Sequence, residues 1–435
     1  MRILLLQPPW DNHLKTDRPP LGIAYIAAVL EKEGYEVQIK DMFLRPGIPI
    51  EKQVREYMEF DPQIVGISTV TSTHSNGEKV AGIIKNINQD VITIVGGPHA
   101  SALPKEVIKN PNVDFVVRGE GEITFLELCR HIESGKNIEY VCSVTFISKG
   151  KVISTPNREL IKNLDEIPFP ARHLLDINEY SLEINGKKAT TMISTRGCPF
   201  NCIFCFKGVF GNTYRERSVS NIIEEIKQIN DTYNIYAIYF QDDLFFLNRR
   251  RVKEFCKTLK KEKVEIDWSC FSRVDLMEKD LLNDLSEANC YRIHYGVESG
   301  SNKILKLLHK NIEKRKIKEI FQETHRAGIK TRAYFILGLP FDTPETIVET
   351  IKFAFELKTD ELQFSIATPW PGTPLWNMLE KKDVNFSQYI FMNLRSKNHL
   401  EPAPLIIPSR ICNEGISVKE LIDIILSAGC QSSRR

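Results

Sequence analysis

The sequence predicts an α/β chain built from two successive parallel-sheet units and a short tail. Three observations carry this. Continuous apolar strands alternate with helical patterns over the first third of the 435 residues. The character changes between residues 141 and 188. Six further strand–helix units then follow, from about residue 189 to 370. Strands that are apolar throughout and separated by helices are buried on both faces, which requires a parallel sheet covered by helices.

In the first unit, apolar strands read at Ile3–Gln7, Val37–Lys40, Ile64–Ser68, Val91–Val95 and Phe115–Val117. Helical patterns at Leu21–Glu33 and Asn76–Asn88 lie between them. This is a doubly wound, flavodoxin- or Rossmann-like sheet, whose ligands bind at the carboxyl ends of its strands. The loops at those ends are polar and rich in glycine. Ser68 and Thr69 open a run of hydroxyls, Gly96-Gly97-Pro98-His99 follows the next strand, and Gly119-Glu120-Gly121 follows the last. No G-x-G-x-x-G opens the first helix, which argues against a dinucleotide. Read without other context, the loops are equally well tight turns closing the sheet.

Residues 141–188 form a connector. Val141–Thr155 alternates apolar and polar residues around Lys149-Gly-Lys151 and reads as a hairpin. Ile167-Pro-Phe-Pro170 marks an extended link. The expected division is therefore 1–140, connector 141–188, second unit 189–370 and tail 371–435.

Strands of the second unit read at Thr190–Ser194, Ala237–Phe240, Ile266–Cys270, Arg292–Gly296, Thr331–Leu337 and Leu362–Ala367. Six units are too few for a closed eightfold barrel, but chemistry is still expected at the carboxyl ends of the strands. The first of those ends carries Thr195-Arg-Gly-Cys-Pro-Phe-Asn-Cys-Ile-Phe-Cys-Phe-Lys207, with Cys198, Cys202 and Cys205 in a CxxxCxxC spacing. A helix follows, with Ser220 expected as its N-cap and Val219, Ile222, Ile223, Ile226 and Ile229 on one face. Three thiolates on a short loop can ligate one metal centre. A structural zinc wants a fourth protein ligand, and none is evident nearby. A 4Fe–4S cluster on three cysteines keeps one iron open to an outside ligand.

Composition fits an ordinary soluble enzyme. Lysine plus arginine (58) nearly balances aspartate plus glutamate (56), so whole-chain charge argues for neither a nucleic acid nor an acidic surface as partner. The other seven of the ten cysteines are scattered, which suits a reducing cytoplasm and no disulfide framework. No run of about 18 apolar residues suggests a membrane span. Met1–Gln7 is too short for a signal peptide.

The cysteine loop, set between a strand and a helix, resembles that of the radical S-adenosylmethionine (SAM) superfamily. In that family the three cysteines hold a 4Fe–4S cluster whose open iron binds the amino and carboxylate groups of SAM. Reduction by an external one-electron donor, such as flavodoxin or ferredoxin, cleaves SAM to a 5′-deoxyadenosyl radical. The resemblance implies a partial (β/α)6 barrel and a set of SAM contacts. Phe204 would lie beside adenine, Asp242 or Asp243 would meet the SAM amine, and Arg273 would meet its carboxylate. Glu298 would reach the ribose hydroxyls, Ser299 beside it would also contact SAM, and the turn at Gly338 would sit near adenine. Thr368-Pro-Trp-Pro-Gly-Thr-Pro-Leu375 resembles the segment that closes many such barrels.

The first unit, with its Gly-Gly-Pro-His-Ala-Ser and Arg-Gly-Glu-Gly-Glu loops, is similar to the cobalamin-binding domain that precedes many radical SAM domains. This implies cobalamin bound by Ser68, Thr69, Gly96, Gly97, Pro98, His99, Gly119, Glu120 and Gly121. One departure stands out. Asp41-Met-Phe-Leu-Arg-Pro46 lacks the histidine of a DxHxxG motif, so a base-off cobalamin without a histidine ligand is expected. Together these resemblances imply methylation of an unactivated carbon through methylcobalamin, on an organic substrate the sequence does not specify. Two alternatives stand beside that reading: an oxidative cyclase or rearrangement enzyme of the same architecture, and a cobalamin-binding sensor without chemistry. The tail carries one expected amphipathic helix, Val418–Ser427.

Overall fold

The computed structural model describes residues 1–10, 16–378 and 394–395. The tail beyond Met378, with the expected helix at Val418–Ser427, lies outside the described residues apart from Leu394–Arg395. The chain divides into two compact units. One is Met1–Leu182 with Phe206–Arg217; the other is Glu183–Cys205 with the described residues from Ser218 onward.

The first unit is built on a seven-stranded sheet. Its strands are β1 (Arg2–Gln7), β2 (Glu36–Asp41), β3 (Ile64–Ser68), β4 (Ile92–Gly96), β5 (Phe115–Val117), β6 (Val144–Ser148) and β7 (Lys151–Ser154). The spatial order is β2-β1-β3-β4-β5-β6-β7. The first five are parallel, and β6 and β7 add antiparallel. The hairpin expected between the units thus completes the N-terminal sheet. Alternate β residues Leu4, Leu6, Val65, Ile67 and Val95 meet Val80, Ala81 and Ile84 of helix His74–Ile87 in one buried core. Helices Leu21–Lys32 and Gly121–Ser134 pack against each other. Because β3, β4 and β5 are neighbours, the loops after Ser68, Gly96 and Val117 lie side by side at one end of the sheet.

The second unit is a sheet of six parallel strands in sequence order. They are β8 (Thr190–Met192), β9 (Ala237–Phe240), β10 (Asp267–Ser272), β11 (Cys290–Glu298), β12 (Lys330–Leu337) and β13 (Glu361–Ile366). A short antiparallel strand, β14 (Leu394–Arg395), is added on the side of β13. Each parallel strand pairs with the next one in the chain, and β8 does not pair with β13, so the sheet is an open six-stranded half-barrel. Outward residues such as Phe240, Trp268, Ile293, Tyr295 and Phe335 are fully buried under the helices.

Helix Val219–Tyr233 follows the cysteine loop. Its N-cap is Ser218 rather than Ser220: the Ser218 hydroxyl accepts from the Asn221 N–H at 3.2 Å. The N–H three residues on is the donor an N-cap oxygen reaches, so capping belongs to the residue just before Val219.

Candidate functional site

The cysteine loop begins where β8 ends, and its entry is fixed by one aspartate. Asp242, 4% exposed at the end of β9, accepts hydrogen bonds from Ser194 N, the Ser194 hydroxyl and Thr195 N. Burial pushes its carboxyl up, opposed by the charge of Arg251 and by those donors. Arg251 in turn donates to Ser194 O at 3.2 Å. Asp242 is therefore committed to the loop. Asp243 is exposed and accepts from Gly197 N at 2.8 Å.

The loop itself is clamped by Leu308–Lys310. Ile203 N donates to Leu308 O at 3.3 Å, and His309 Nδ1 lies 3.2 Å from Asn201 O. Ile203 O accepts from Leu375 N at 2.8 Å. Ile203 anchors a small apolar cluster with Ile304, Leu308, Leu339, Ala367 and Leu375. Phe204 packs against the same cluster, which brings it to the turn that starts at Gly338 (φ 77°). Asp342 braces that turn by accepting from Leu339 N at 2.9 Å.

Cys202 is buried, Cys198 half-buried and Cys205 exposed, and all three are free thiols. A hydrogen bond from Cys205 is the chief reason the Cys202 thiol falls to about 6; burial opposes this, and Lys310 and Arg273 assist. The same bond, with burial, pushes Cys205 up. Among the described residues, no three His, Cys, Asp or Glu side chains converge on a single metal ion. Thiols beside two cations suit an anionic iron–sulfur centre.

Two cations meet here. Arg273 Nη1 lies 3.4 Å from Cys202 Sγ, and Arg273 Nη2 donates to Lys310 O at 2.8 Å. Lys310 Nζ donates to Glu298 Oε1 at 3.0 Å, a pair whose side chains are only 6% and 9% exposed. Glu298 adopts φ 71°, just past a bulge at the end of β11. Gly296 leaves room for it: a Cβ there would lie 2.4 Å from Glu298 Oε1 and 3.0 Å from Lys310 Nζ. Ser299 is buried against Thr350, with hydroxyl oxygens 3.0 Å apart. Sequence reasoning missed Lys310. It lies in a His-Lys-Asn loop with no pattern, and only the fold brings it to Glu298.

In the first unit, the expected ligand loops form one end of the sheet. Ser68 ends β3. Thr69, fully buried, donates its N–H to Gly96 O at 2.9 Å and accepts from His99 N at 3.2 Å. Gly97 has φ 94°, and a Cβ there would lie 2.6 Å from Thr69 O, so only glycine fits. Pro98 starts the short helix Pro98–Ala102. His99 is 5% exposed, stacks on His74 with ring centroids 3.9 Å apart, and lies 3.2 Å from the Thr71 hydroxyl. Burial, then His74, pushes His99 down to about 3, so it is neutral at physiological pH. Gly119 has φ 71° and donates to the Ser101 hydroxyl at 2.9 Å. Gly121 starts helix Gly121–Ser134, where a Cβ would meet Ile26 at 2.8 Å. Glu120 is turned to another task. Both its oxygens accept from Arg215 Nη1, at 2.8 and 2.9 Å, and one accepts from Ile161 N at 2.9 Å.

Residues 11–129 match the B12-binding domain model, and residues 192–354 match the radical SAM superfamily model. The chain is 36% identical over 408 residues to an uncharacterized methyltransferase of Pyrococcus horikoshii, covering 92% of this chain and 87% of that protein. It is 30% identical over 405 residues to the anaerobic magnesium-protoporphyrin IX monomethyl ester cyclase of Rubrivivax gelatinosus, covering 90% and 73%. Among solved structures, the radical SAM methyltransferase TsrM from Kitasatospora setae, with tryptophan and a SAM analogue bound, superposes with a TM-score of 0.73 at 17% identity, covering 86% and 74%. The cobalamin-dependent radical SAM enzyme OxsB, with aqua-cobalamin and SAM bound, gives 0.70 at 22% identity. That match covers 81% of this chain and about half (51%) of OxsB. At these identities the structural likeness is one of fold. A doubly wound domain followed by a half-barrel with this cysteine loop defines a class of two-domain radical enzymes. The chain belongs to the radical SAM family with an N-terminal B12-binding domain, and it is an enzyme of that family. No helix among the described residues is long and apolar enough to cross a membrane.

Proposed function

We propose that the chain is a cobalamin-dependent radical SAM methyltransferase that methylates an unactivated carbon, with Cys198, Cys202 and Cys205 holding a 4Fe–4S cluster. The observation that carries the cluster assignment is the buried Cys202, set between Arg273 and Lys310 on a loop clamped from three sides. Methyl transfer draws its support from the relatives. One is the Pyrococcus methyltransferase, and another is the cytidylyl-2-hydroxyethylphosphonate methyltransferase of Streptomyces wedmorensis, 28% identical over 433 residues.

When bound, the cluster and SAM would supply a 5′-deoxyadenosyl radical, and cobalamin would carry the methyl group. The chain's own residues do the holding and orienting. Phe204 and the Gly338 turn offer an apolar face for adenine. Glu298, fixed by Lys310, offers a carboxylate to ribose hydroxyls, and exposed Asp243 offers one to the SAM amine. The loops at Ser68–Thr69, Gly96–His99 and Gly119–Gly121 offer backbone polar groups and glycine clearance to a corrin. His99 is neutral but buried against His74 and Thr71, which is compatible with a cobalt that lacks a histidine ligand. A cytoplasmic setting and a flavodoxin- or ferredoxin-type reductant complete the proposal.

The test is anaerobic reconstitution with iron, sulfide and hydroxocobalamin, followed by incubation with methyl-labelled SAM, a reductant and candidate acceptors. About four irons and one base-off cobalamin per chain, with label in product, support the reading. Cluster without cobalamin removes the methyl carrier. No cluster in wild type, or full iron content in Cys202→Ala, overturns the cysteine assignment. The 30% identity to the Rubrivivax cyclase favours a second reading, oxidative cyclisation. Its signature in the same assay is SAM cleavage with no labelled product.

A further inference from the structure

Arg273 stands where the family resemblance calls for a contact to the SAM carboxylate, yet its guanidinium is otherwise engaged. Nε and Nη2 form a two-point bridge to Asp275, at 2.9 Å each. Nη2 also donates to Lys310 O at 2.8 Å, and Nη1 faces Cys202 Sγ at 3.4 Å. Four of its five N–H donors are thereby committed. The guanidinium carbon lies 3.8 Å from the centroid of the Phe200 ring, on the same cysteine loop, and the side chain is 8% exposed. A planar fork held by a carboxylate and a carbonyl, and stacked on an aromatic ring, has little freedom to swing toward another partner.

We propose that Arg273 is a positioning residue of the cluster: it donates a hydrogen bond to the Cys202 sulfur, raises the cluster's reduction potential, and leaves the SAM carboxylate to other groups. This rests on the reading that Cys198, Cys202 and Cys205 hold the cluster. A hydrogen bond and a nearby positive charge both stabilise the more negative, reduced state, and hydrogen bonds to the sulfurs are among the factors that set such potentials. Lys310 ties this to the neighbouring site. Its carbonyl fixes Arg273 while its ammonium fixes Glu298, so one residue supports both the cysteine loop and the proposed ribose contact.

The test compares full-length wild type with Arg273→Met and Arg273→Lys after anaerobic loading with iron and sulfide. Three quantities are read: iron and sulfide per chain, the midpoint potential of the SAM-free cluster by poised electron paramagnetic resonance, and SAM binding by equilibrium dialysis. The expected result is a cluster in Arg273→Met whose reduced-to-oxidised ratio at fixed poise falls at least tenfold, about 59 mV for a one-electron couple. SAM affinity should stay within twofold, and Arg273→Lys should recover part of the shift. An unchanged potential with the cluster present overturns the inference. An unchanged potential with SAM binding weakened tenfold returns Arg273 to the SAM carboxylate. If Arg273→Met loses iron, Arg273→Gln, neutral and polar, carries the comparison with the same outcomes. A wild type that takes up no cluster fails the underlying assignment instead, and the iron count alone reveals that.

Discussion

The pair Glu120–Arg215 gives the most direct quantitative prediction. The segment Phe206–Arg217 directly follows Cys205, the third cysteine of the loop, but belongs to the N-terminal unit. It is held there by a bridge whose side chains are 6% and 4% exposed. Arg215 also donates to Ile161 O at 2.7 Å and Phe210 O at 2.9 Å. Glu120→Gln removes the countercharge and leaves a buried guanidinium with two neutral carbonyls and one amide. Breaking a buried ion pair from one side costs ~3–5 kcal/mol. The retained amide oxygen places this variant near ~3 kcal/mol. If the loss appears as local opening, amide exchange across residues 206–217 should accelerate about 100-fold, since each 1.4 kcal/mol is about tenfold. Hydrogen–deuterium exchange on peptides from that segment reads this directly. The double variant Glu120→Gln/Arg215→Met should recover much of the protection, because no uncompensated charge remains. Exchange within threefold of wild type in Glu120→Gln refutes the reasoning. Weakened hydroxocobalamin binding with unaltered exchange assigns Glu120 to the ligand instead.

Three further outcomes follow from named geometry. Gly97→Ala forces a Cβ to within 2.6 Å of Thr69 O at φ 94°, so chemical denaturation should show a loss of ~1–3 kcal/mol from strain alone; a neutral result would mean the loop yields freely. Gly296→Ala drives a Cβ to 2.4 Å from Glu298 Oε1. If Glu298 contacts SAM, dialysis should show affinity lowered by about tenfold or more, ~1.4 kcal/mol for a lost charged hydrogen bond, and unchanged affinity removes Glu298 from the site. His99 is held near 3 against an ordinary 6.5, so the folded state favours the neutral ring. As pH falls below 6.5 the unfolded chain takes up the proton first, so the His99 contribution to the stability of the N-terminal unit falls by ~2 kcal/mol by about pH 5. Asp41, raised by burial to about 6, acts with the opposite sign, so the comparison is His99→Gln against wild type at both pH values. Equal slopes in the two proteins refute the assignment.

Periodicity and punctuation made the two parallel sheets legible. Runs such as Ile3–Leu6 and Ile64–Ile67 are buried on both faces because helices cover both sides, and that pattern is local. Cys198, Cys202 and Cys205 were legible because their spacing is set within one loop. The glycine-rich loop at Gly96-Gly97 was legible too, but that position 97 requires glycine was not, since it depends on φ 94° and on Thr69 O from a neighbouring strand end. Placement of the hairpin Val144–Ser154 was not. Its alternation shows that it is a hairpin, but the choice to extend the N-terminal sheet depends on the free edge of Phe115–Val117. The commitments of individual charged side chains were equally hidden. Asp242 braces Ser194 and Thr195, Glu120 holds Arg215 across 95 residues, and Arg273 reaches Cys202 across 71. Lys310 meets Glu298 across 12 residues, from the same loop whose Leu308 O accepts from Ile203 N of the cysteine segment. The sequence by itself determined the elements, their alternation and the spacing of the three thiols, because those depend on neighbours along the chain. Only the tertiary structure decided which carboxylates and cations are used up as braces. Pairing a charge depends on what else is buried beside it, and distant strands bring those partners together.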